Sequence, residues 1–299
     1  MKSETVSSLL TVFVKELTDI FTSWRFIILF AIVFAVGAFA TYIDAQYIRG
    51  AVTEPRFVFL QLYTTSGQTL PLFIFFIAFF MPIVGIALGF DAINSEKSNG
   101  TLSRLVSQPI YRDVIINGKF LAGGVTIAIM LTSMVVLVGG VGLCIIGVPP
   151  SSEEVIRLMA FLAVGIVYGG FWLGVAILFS IFFRRAATSA LASIGVWIFF
   201  IFMFAFPFFV QLWQEQIGLV IMRISPVTVF WQVINILLVP EARTLGQILQ
   251  SGFVGVPTSA LALDQSLLTV APHLVSLIVL TVVCFAVSYV KFMREEIRA

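Results

Sequence analysis

The sequence predicts an all-α integral membrane protein with six transmembrane helices. Of its 299 residues, 60% are hydrophobic and only 11% are charged, whereas soluble domains carry roughly 25% charged residues. A bilayer core about 30 Å thick needs about 20 helical residues, so we count uncharged runs near that length as spans. The third and fifth runs exceed one span, and we expect their ends to project beyond the hydrocarbon or to tilt. The six runs are residues 26–43, 67–90, 120–152, 158–183, 186–214 and 265–290.

An amphipathic helix is predicted ahead of the first span, over residues 1–24. Its apolar residues recur at steps of three and four, while Lys15, Glu16 and Asp19 fall on the other faces. This pattern is typical of a helix that lies along a membrane surface. We expect it to form an elbow along the inner leaflet that enters the first span at Arg25. The apolar positions are Val6, Leu9, Leu10, Phe13, Val14, Leu17, Ile20, Phe21 and Trp24.

The stretch from residue 215 to residue 264 is apolar but interrupted by Pro226, Pro240, Gly252, Gly255 and Pro257. These residues prevent one continuous span. We therefore expect an outer loop with short helices at the membrane interface before the sixth span. The alternative is an additional re-entrant pair of helices.

The distribution of basic residues predicts the orientation. Most of the 17 Lys and Arg residues precede the first span, follow the last span, or fall in the connections after the second and fourth spans. Cytoplasmic segments carry the excess of Lys and Arg, so both termini are predicted in the cytoplasm of a multi-pass protein of the cell membrane. The bases on the outer side are Arg49, Arg56, Arg157, Arg223 and Arg243.

The sequence offers little for catalysis or for ion-coupled transport. The six runs have no acid or base at mid-depth, where ion-coupled carriers and pumps place charged residues. Gly118-Lys119 lacks the rest of a phosphate-binding loop, so we expect no nucleotide site in this chain. The single histidine, His273, excludes a histidine metal cluster, and the net charge of +2 does not suggest nucleic acid. We therefore expect a protein without enzymatic activity that takes its energy from a partner.

Metal chemistry and disulfides are not expected either. Cys144 and Cys284 lie in apolar runs, which favours two core residues. Met130 and Met134 are the only methionines spaced one helical turn apart, and two thioethers are too few for a soft-metal pathway. We expect no metal and no cofactor bound to this chain.

A polar connection joins the second and third spans, over residues 90–109. Ser95-Glu96-Lys97 supplies polar groups, and Asn99-Gly100 predicts a helix stop. A short helix would then start at Thr101, with Leu102, Leu105 and Val106 on one edge, and would end at Pro109. Such a segment can serve as a handle for a cytoplasmic partner, or it can be an ordinary solvated loop.

At these residues the sequence resembles the permeases of type-2 ABC transporters. The family pattern is an acid, then Gly-Thr-Leu, a Leu pair, Pro, a basic residue and Gly-Lys-Phe, and residues 91–123 resemble it. Residues 15–21 are similar to the family's elbow helix, and residues 224–235 to its segment before the last span. Asn94-Ser95-Glu96 replaces the usual Gly-Glu, and Val106-Ser107 replaces part of the Leu-rich helix. The matching positions are Glu96, Gly100, Thr101, Leu102, Leu105, Pro109, Arg112, Gly118, Lys119 and Phe120.

The resemblance implies one permease domain over residues 1–299, acting as a dimer above two cytoplasmic ABC ATPase subunits that bind the ATP. Residues 92–119 would form the coupling loop between permease and ATPase. Within the family, the sequence is most similar to permeases linked to maturation of the copper site of nitrous oxide reductase, which suggests an extracytoplasmic partner. The coupling residues that we expect are Asp91, Glu96, Lys97, Gly100, Thr101, Leu102, Leu105, Pro109, Arg112 and Lys119.

Small residues one turn apart permit close approach of helix backbones and are candidates for packing in a homodimer. The alternative is ordinary packing within one chain. The pairs are Gly85 with Gly89, Gly165 with Gly169, and Gly170 with Gly174.

We expect the chain to be the membrane subunit of an ABC exporter. Phe, Thr and Ser dominate the expected lining of the pathway, which suits apolar or amphiphilic cargo. The alternative is a membrane anchor that transports nothing, or a subunit that passes a mechanical signal to an extracytoplasmic partner.

Overall fold

The computed structural model describes residues 2–50, 58–64, 72–100, 111–205, 224–238 and 262–294, and these residues form helices without any strand. Among them, six helices are long and apolar enough to cross a membrane, which confirms the predicted six spans. The spans are α2, α4, α6, α7, α8 and α10. The helices are α1 (Lys2–Thr22), α2 (Trp24–Gly50), α3 (Val58–Thr64), α4 (Leu72–Gly89), α5 (Asn94–Ser98), α6 (Arg112–Ile146), α7 (Ser152–Phe182), α8 (Ala186–Ala205), α9 (Pro226–Leu238) and α10 (Leu263–Arg294).

The third span begins and ends earlier than its apolar run, over residues 112–146 instead of 120–152. α6 has 35 residues and begins at Arg112, well before the predicted start at residue 120. At 1.5 Å per residue it extends about 52 Å, so its first turns project from a hydrocarbon layer about 30 Å thick. Lys119 therefore lies where α6 enters the apolar layer. In the fifth span, residues 206–214 lie outside the described residues.

Side-chain contacts define two ends of the bundle. We call the end that carries the polar connection after α4 the loop end, and the other end the opposite end. At the loop end, Arg25 at the start of α2 pairs with Asp91 after α4, and Lys291 near the end of α10 lies over the ring of Phe182. At the opposite end, the start of α7 contacts α3 and the start of α10. The chain therefore enters its first span and leaves its last span at the same end.

α7 is the central helix of the bundle, and α4 packs closely along it. A Cβ atom at Gly85 would lie 2.7 Å from the carbonyl oxygen of Gly169, and one at Gly89 would lie 2.8 Å from the Cβ of Ala176. Only glycine fits at these two positions, because the neighbouring atoms belong to backbone or to a short side chain. Gly85, Gly89 and Gly169 thus take part in packing within the chain, and a role in a dimer stays a prediction.

The remaining glycine candidates differ in their surroundings. A Cβ at Gly165 would meet the side chain of Leu131 at 2.5 Å, whereas one at Gly174 would make only ordinary contacts. At Gly170, no atom of the described residues lies within 4 Å of such a Cβ. A role of these glycines in a dimer stays a prediction.

A proline inside α4 is compensated by a side chain of α7. Pro82 has no N–H, so the carbonyl of Ala78 loses its helical hydrogen bond. The hydroxyl of Tyr168 donates to this carbonyl at 3.2 Å. In a membrane, a neighbouring helix has to satisfy such a group because water is absent.

The short helix before the last span lies inside the bundle. The sequence predicts helices at the interface, but almost all residues of α9 are buried. Phe230 stacks on Tyr168 with ring centroids 3.9 Å apart, while the carbonyl of Leu237 bonds to Arg157. Tyr168 lies about 16 Å further along α7 than Arg157, so α9 begins deep in the bundle and ends near the opposite end. Pro226 occupies the first position of this helix, where its missing N–H is not needed.

Two buried charged residues organise the opposite end. The carboxylate of Glu154 accepts the backbone N–H groups of Phe59 and Leu60 at 3.0 and 3.1 Å, and closes a capping box with Ser151. Arg157 is fully buried and donates to Glu153, to the carbonyl of Leu237 and to Ser266. From the sequence, Arg157 is recognisable only as an outer base, because its partners Leu237 and Ser266 are distant along the chain.

Candidate functional site between α4 and α6

The candidate site is the polar connection from Asp91 to Arg112. The structure describes residues 91–100 and 111–112 of it. Thr101, Leu102, Leu105 and Pro109, together with the short helix predicted from Thr101, lie outside the described residues.

The described part of the connection contains the one-turn helix α5. It ends at Ser98, and Gly100 has φ +68°, a left-handed conformation that favours glycine. The amide of Gly100 donates to the carbonyl of Lys97 at 3.3 Å. The helix stop predicted at Asn99-Gly100 is confirmed.

The end of α7 holds the start of α5. The hydroxyl oxygen of Ser180, which is fully buried, accepts the backbone N–H groups of Ile93 and Asn94 at 2.9 and 3.1 Å. From the other end of α5, the ammonium of Lys97 donates to the carbonyl of Ile181 at 3.2 Å. These three bonds fix α5 against the loop end of α7.

Lys119 of α6 joins three segments through one ammonium group. Its Nζ lies 2.9 Å from Oε2 of Glu16 on α1 and 2.8 Å from Oε1 of Glu96 on α5. The side chain of Lys119 is 6% exposed, and those of Glu16 and Glu96 are each 13% exposed. Since water screens these charges little, the interaction is stronger than an ion pair on the surface. We call Glu16, Glu96 and Lys119 the ion triad.

A second lysine supports the triad from its exposed side. Lys15 lies 2.9 Å from Oε1 of Glu16 and 3.1 Å from Asp19. Burial on its own would raise the pKa of Glu16, but the charges of Lys119 and Lys15 and their hydrogen bonds outweigh burial and hold this pKa below its usual value. Glu16 is therefore a carboxylate at neutral pH.

The residue before Lys119 allows α1 to approach α6. A Cβ at Gly118 would lie 2.7 Å from Cγ1 of Val12. Val12 is one helical turn before Glu16, so the same face of α1 supplies the packing contact and the carboxylate. Gly118-Lys119 is thus a docking point for α1: the glycine provides space, and the lysine provides charge.

An ion pair also joins the polar connection after α4 to α2. Arg25 pairs with Asp91, and its guanidinium lies 5.8 Å from the ring centroid of Phe90. The Arg25 side chain is largely exposed, so we assign this pair little stabilisation by itself. It nevertheless links the junction between α1 and α2 to the end of α4.

The chain matches a known family over almost its whole length. The profile of the family described as ABC-2 family transporter protein matches residues 10–297. The chain belongs to this ABC-2 family. Two curated relatives, from Pseudomonas aeruginosa and Stutzerimonas stutzeri, are each described as "Probable ABC transporter permease protein NosY".

The two relatives match only part of the chain. The Pseudomonas aeruginosa protein is 30% identical over 129 residues, which cover 42% of this chain and 46% of the relative. The Stutzerimonas stutzeri protein is 28% identical over 196 residues, which cover 64% of this chain and 65% of the relative. The chain thus spans about half and about two thirds of the lengths of these relatives.

The connection is bonded to two of the spans. α5 is bonded to α6 through Glu96 and Lys119, and to α7 through Ser180 and Lys97. α1 is bonded to α6 at Lys119 as well. A displacement of α5 would therefore act on both helices and on α1 at once.

Part of this arrangement was predictable from the sequence. Asp91, Glu96, Lys97 and Lys119 were predicted as coupling residues, and the structure brings each of them into a contact at the loop end. Glu16, Arg25 and Ser180 were not predicted. Glu16 carried a usable signal, since it lies on an amphipathic helix next to a lysine, whereas Ser180 lies in an apolar run without any signal.

Proposed function

We propose that this ABC-2 membrane subunit is moved by a separate cytoplasmic ATPase that binds and hydrolyses ATP, and that the ion triad transmits the movement. The observation that carries the proposal is the double contact of Lys119, which holds α1 and α5 on the same ammonium group. A buried charge with two partners resists separation, because losing one partner would leave a carboxylate without a counter-charge. The two segments would then move with α6 instead of sliding past it.

The loop end faces the cytoplasm in this proposal, with both termini on that side. Lys and Arg cluster at the loop end, in agreement with the positive-inside rule. The connection from Asp91 to Arg112, including the residues that the structure does not describe, would contact the ATPase. The whole chain acts as one permease domain, and two copies form the complete membrane part.

ATP-driven closure of the ATPase would push α5 against the ends of α6 and α7. α4 packs on α7 at Gly85 and Gly89 without room for sliding, so α4 would follow α7. The spans would move as packed bodies and would change access to a pathway from the loop end to the opposite end. We assign export of an apolar or amphiphilic cargo, since a pathway between these spans would be lined by their apolar side chains, many of which are exposed in a single copy of the chain.

Coupling is tested with the chain reconstituted together with its ATPase. Glu96→Gln removes one charge of the triad and keeps the shape of the side chain. We expect the ATPase to co-purify with this variant, while the part of ATP hydrolysis that depends on the membrane subunit falls several-fold. Asp19→Asn is the matched control, since it removes one exposed carboxylate of α1 outside the triad.

Equal hydrolysis in Glu96→Gln and Asp19→Asn would contradict the role of the triad. Transport itself is measured as flux of a fluorescent amphiphile out of vesicles or into them. ATP hydrolysis that depends on the membrane subunit, without flux of any amphiphile in either direction, would contradict the assignment as exporter.

A further inference from the structure

A cluster of basic residues lies at the loop end, away from the ion triad. Arg184 and Arg185 form the exposed bend between α7 and α8, and Lys291 of α10 lies 5.4 Å from the ring centroid of Phe182. Among the described residues, no carboxylate forms an ion pair with any of these three bases. Three positive charges from two parts of the chain therefore lie close to Phe182 or directly after it, and no carboxylate of the described residues pairs with them.

The first turn of α8 adds donors to this cluster. The first amide of α8 with a helical acceptor is that of Ser189, which bonds to the carbonyl of Arg185. The amides before it point out of the helix end and give that end a partial positive charge. The hydroxyl of Ser189 is fully buried and has no hydrogen-bond partner among the described residues. Since helical side chains lean toward the preceding turn, this hydroxyl is directed toward the start of α8.

Apolar surface adjoins the donors on the membrane side. Phe182 and Phe183 are exposed directly before the two arginines, and Leu191, Ile194 and Ile198 expose the face of α8 that follows. Leu191 lies only about 9 Å along the helix from Arg185. A ligand of this surface must combine an anionic group with an apolar body, and it must lie at the boundary of the hydrocarbon layer.

We propose that the bend between α7 and α8 binds an anionic phospholipid, with its phosphate against Arg184, Arg185 and the first turn of α8 and its acyl chains along α8. Basic residues at a membrane surface attract anionic headgroups, each contributing about 1 kcal/mol. A soluble acidic partner would satisfy the charges but not the exposed Phe183 and Leu191. A phospholipid satisfies both. This site is independent of the proposed coupling function.

The test uses the purified full-length chain, delipidated in detergent. Short-chain phosphatidylglycerol, short-chain phosphatidylcholine and inorganic phosphate are titrated separately, and bound ligand is measured by native mass spectrometry. We expect saturable binding of phosphatidylglycerol, at least about ten-fold weaker binding of phosphatidylcholine, and no binding of inorganic phosphate in the same range. Equal affinity for the two lipids, or phosphate that displaces phosphatidylglycerol at similar concentration, would overturn the assignment.

Variants locate the site. Arg184→Gln and Arg185→Gln should each weaken phosphatidylglycerol binding about five-fold, the effect of one basic residue near an anionic surface. Lys2→Gln is the matched control, since it removes the same charge from α1, and it should leave binding unchanged. Both arginines are exposed, so thermal unfolding of the variants should match that of the wild type. If the arginine variants bind lipid normally but no longer retain the ATPase, the bend is a protein contact and the lipid proposal is wrong.

Discussion

Replacement of Lys119 by methionine tests the ion triad most severely. The change keeps the length and apolar stem of the side chain but removes the ammonium that lies 2.9 Å from Glu16 and 2.8 Å from Glu96. Two largely buried carboxylates would then remain, of which Glu16 retains only the half-exposed Lys15. Removing one partner of a buried ion pair costs about 3–5 kcal/mol. Since both carboxylates keep some contact with water, we expect about 3 kcal/mol.

The measurement is denaturant unfolding in mixed micelles, with Lys15→Met as the matched control. Lys15 is half exposed, so its loss should cost at most about 1 kcal/mol. A triple variant that combines Lys119→Met with Glu16→Gln and Glu96→Gln removes all three charges. This variant should recover most of the lost stability, because no uncompensated charge remains. If Lys119→Met unfolds like Lys15→Met, or if the triple variant is the least stable of the set, the triad does not hold the loop end together.

Three further predictions follow from named contacts. Gly118→Leu should push α1 away from α6 and cost about 1–3 kcal/mol, whereas Gly124→Leu, where no described atom lies within 4 Å, should cost little in the same unfolding assay; equal costs would contradict the docking of α1. Tyr168→Phe should cost about 1 kcal/mol because the carbonyl freed by Pro82 loses its donor, a prediction that fails if thermal unfolding does not change. Because the pKa of Glu16 is held low, its charge stabilises the fold fully above its ordinary pKa of about 4.3, and this stability is lost as pH falls through the lower folded-state pKa. Unfolding measured across that acidic range should therefore depend less on pH in Glu16→Gln than in the wild type, and equal slopes would contradict the lowered pKa.

The number of spans could be predicted from the sequence, because each is an apolar run of sufficient length and their ends are marked by charges. The helix stop at Gly100 was also predictable, since Asn-Gly after a short polar helix is a strong local signal. These features depend only on residues close together in the chain.

Contacts between distant segments could not be predicted in this way. Pro226 was interpreted as a residue that interrupts a continuous span, and a short helix, α9, does begin there, but the burial of that helix depends on Tyr168 and Arg157 of another span. The ion pair between Lys119 and Glu16 likewise depends on the packing of α1 against Gly118. This packing cannot be predicted from the position of either charged residue in the sequence. Local patterns thus predicted the elements, and the three-dimensional packing determined their partners.

The central claim is that α1 and the connection after α4 move as one unit with α6 when the ATPase binds ATP. Spin labels at the exposed positions Thr18 and Asn99, in a chain with Cys144 and Cys284 replaced by serine, measure the distance between α1 and the connection. A second label pair, at Asn99 and Thr269, reports movement of the connection relative to the opposite end. On ATP binding in the reconstituted complex, the first distance should stay constant while the second changes, and Lys119→Met should make the first distance vary. A first distance that changes in the wild type, or that stays constant in Lys119→Met while the second distance moves, would contradict the account.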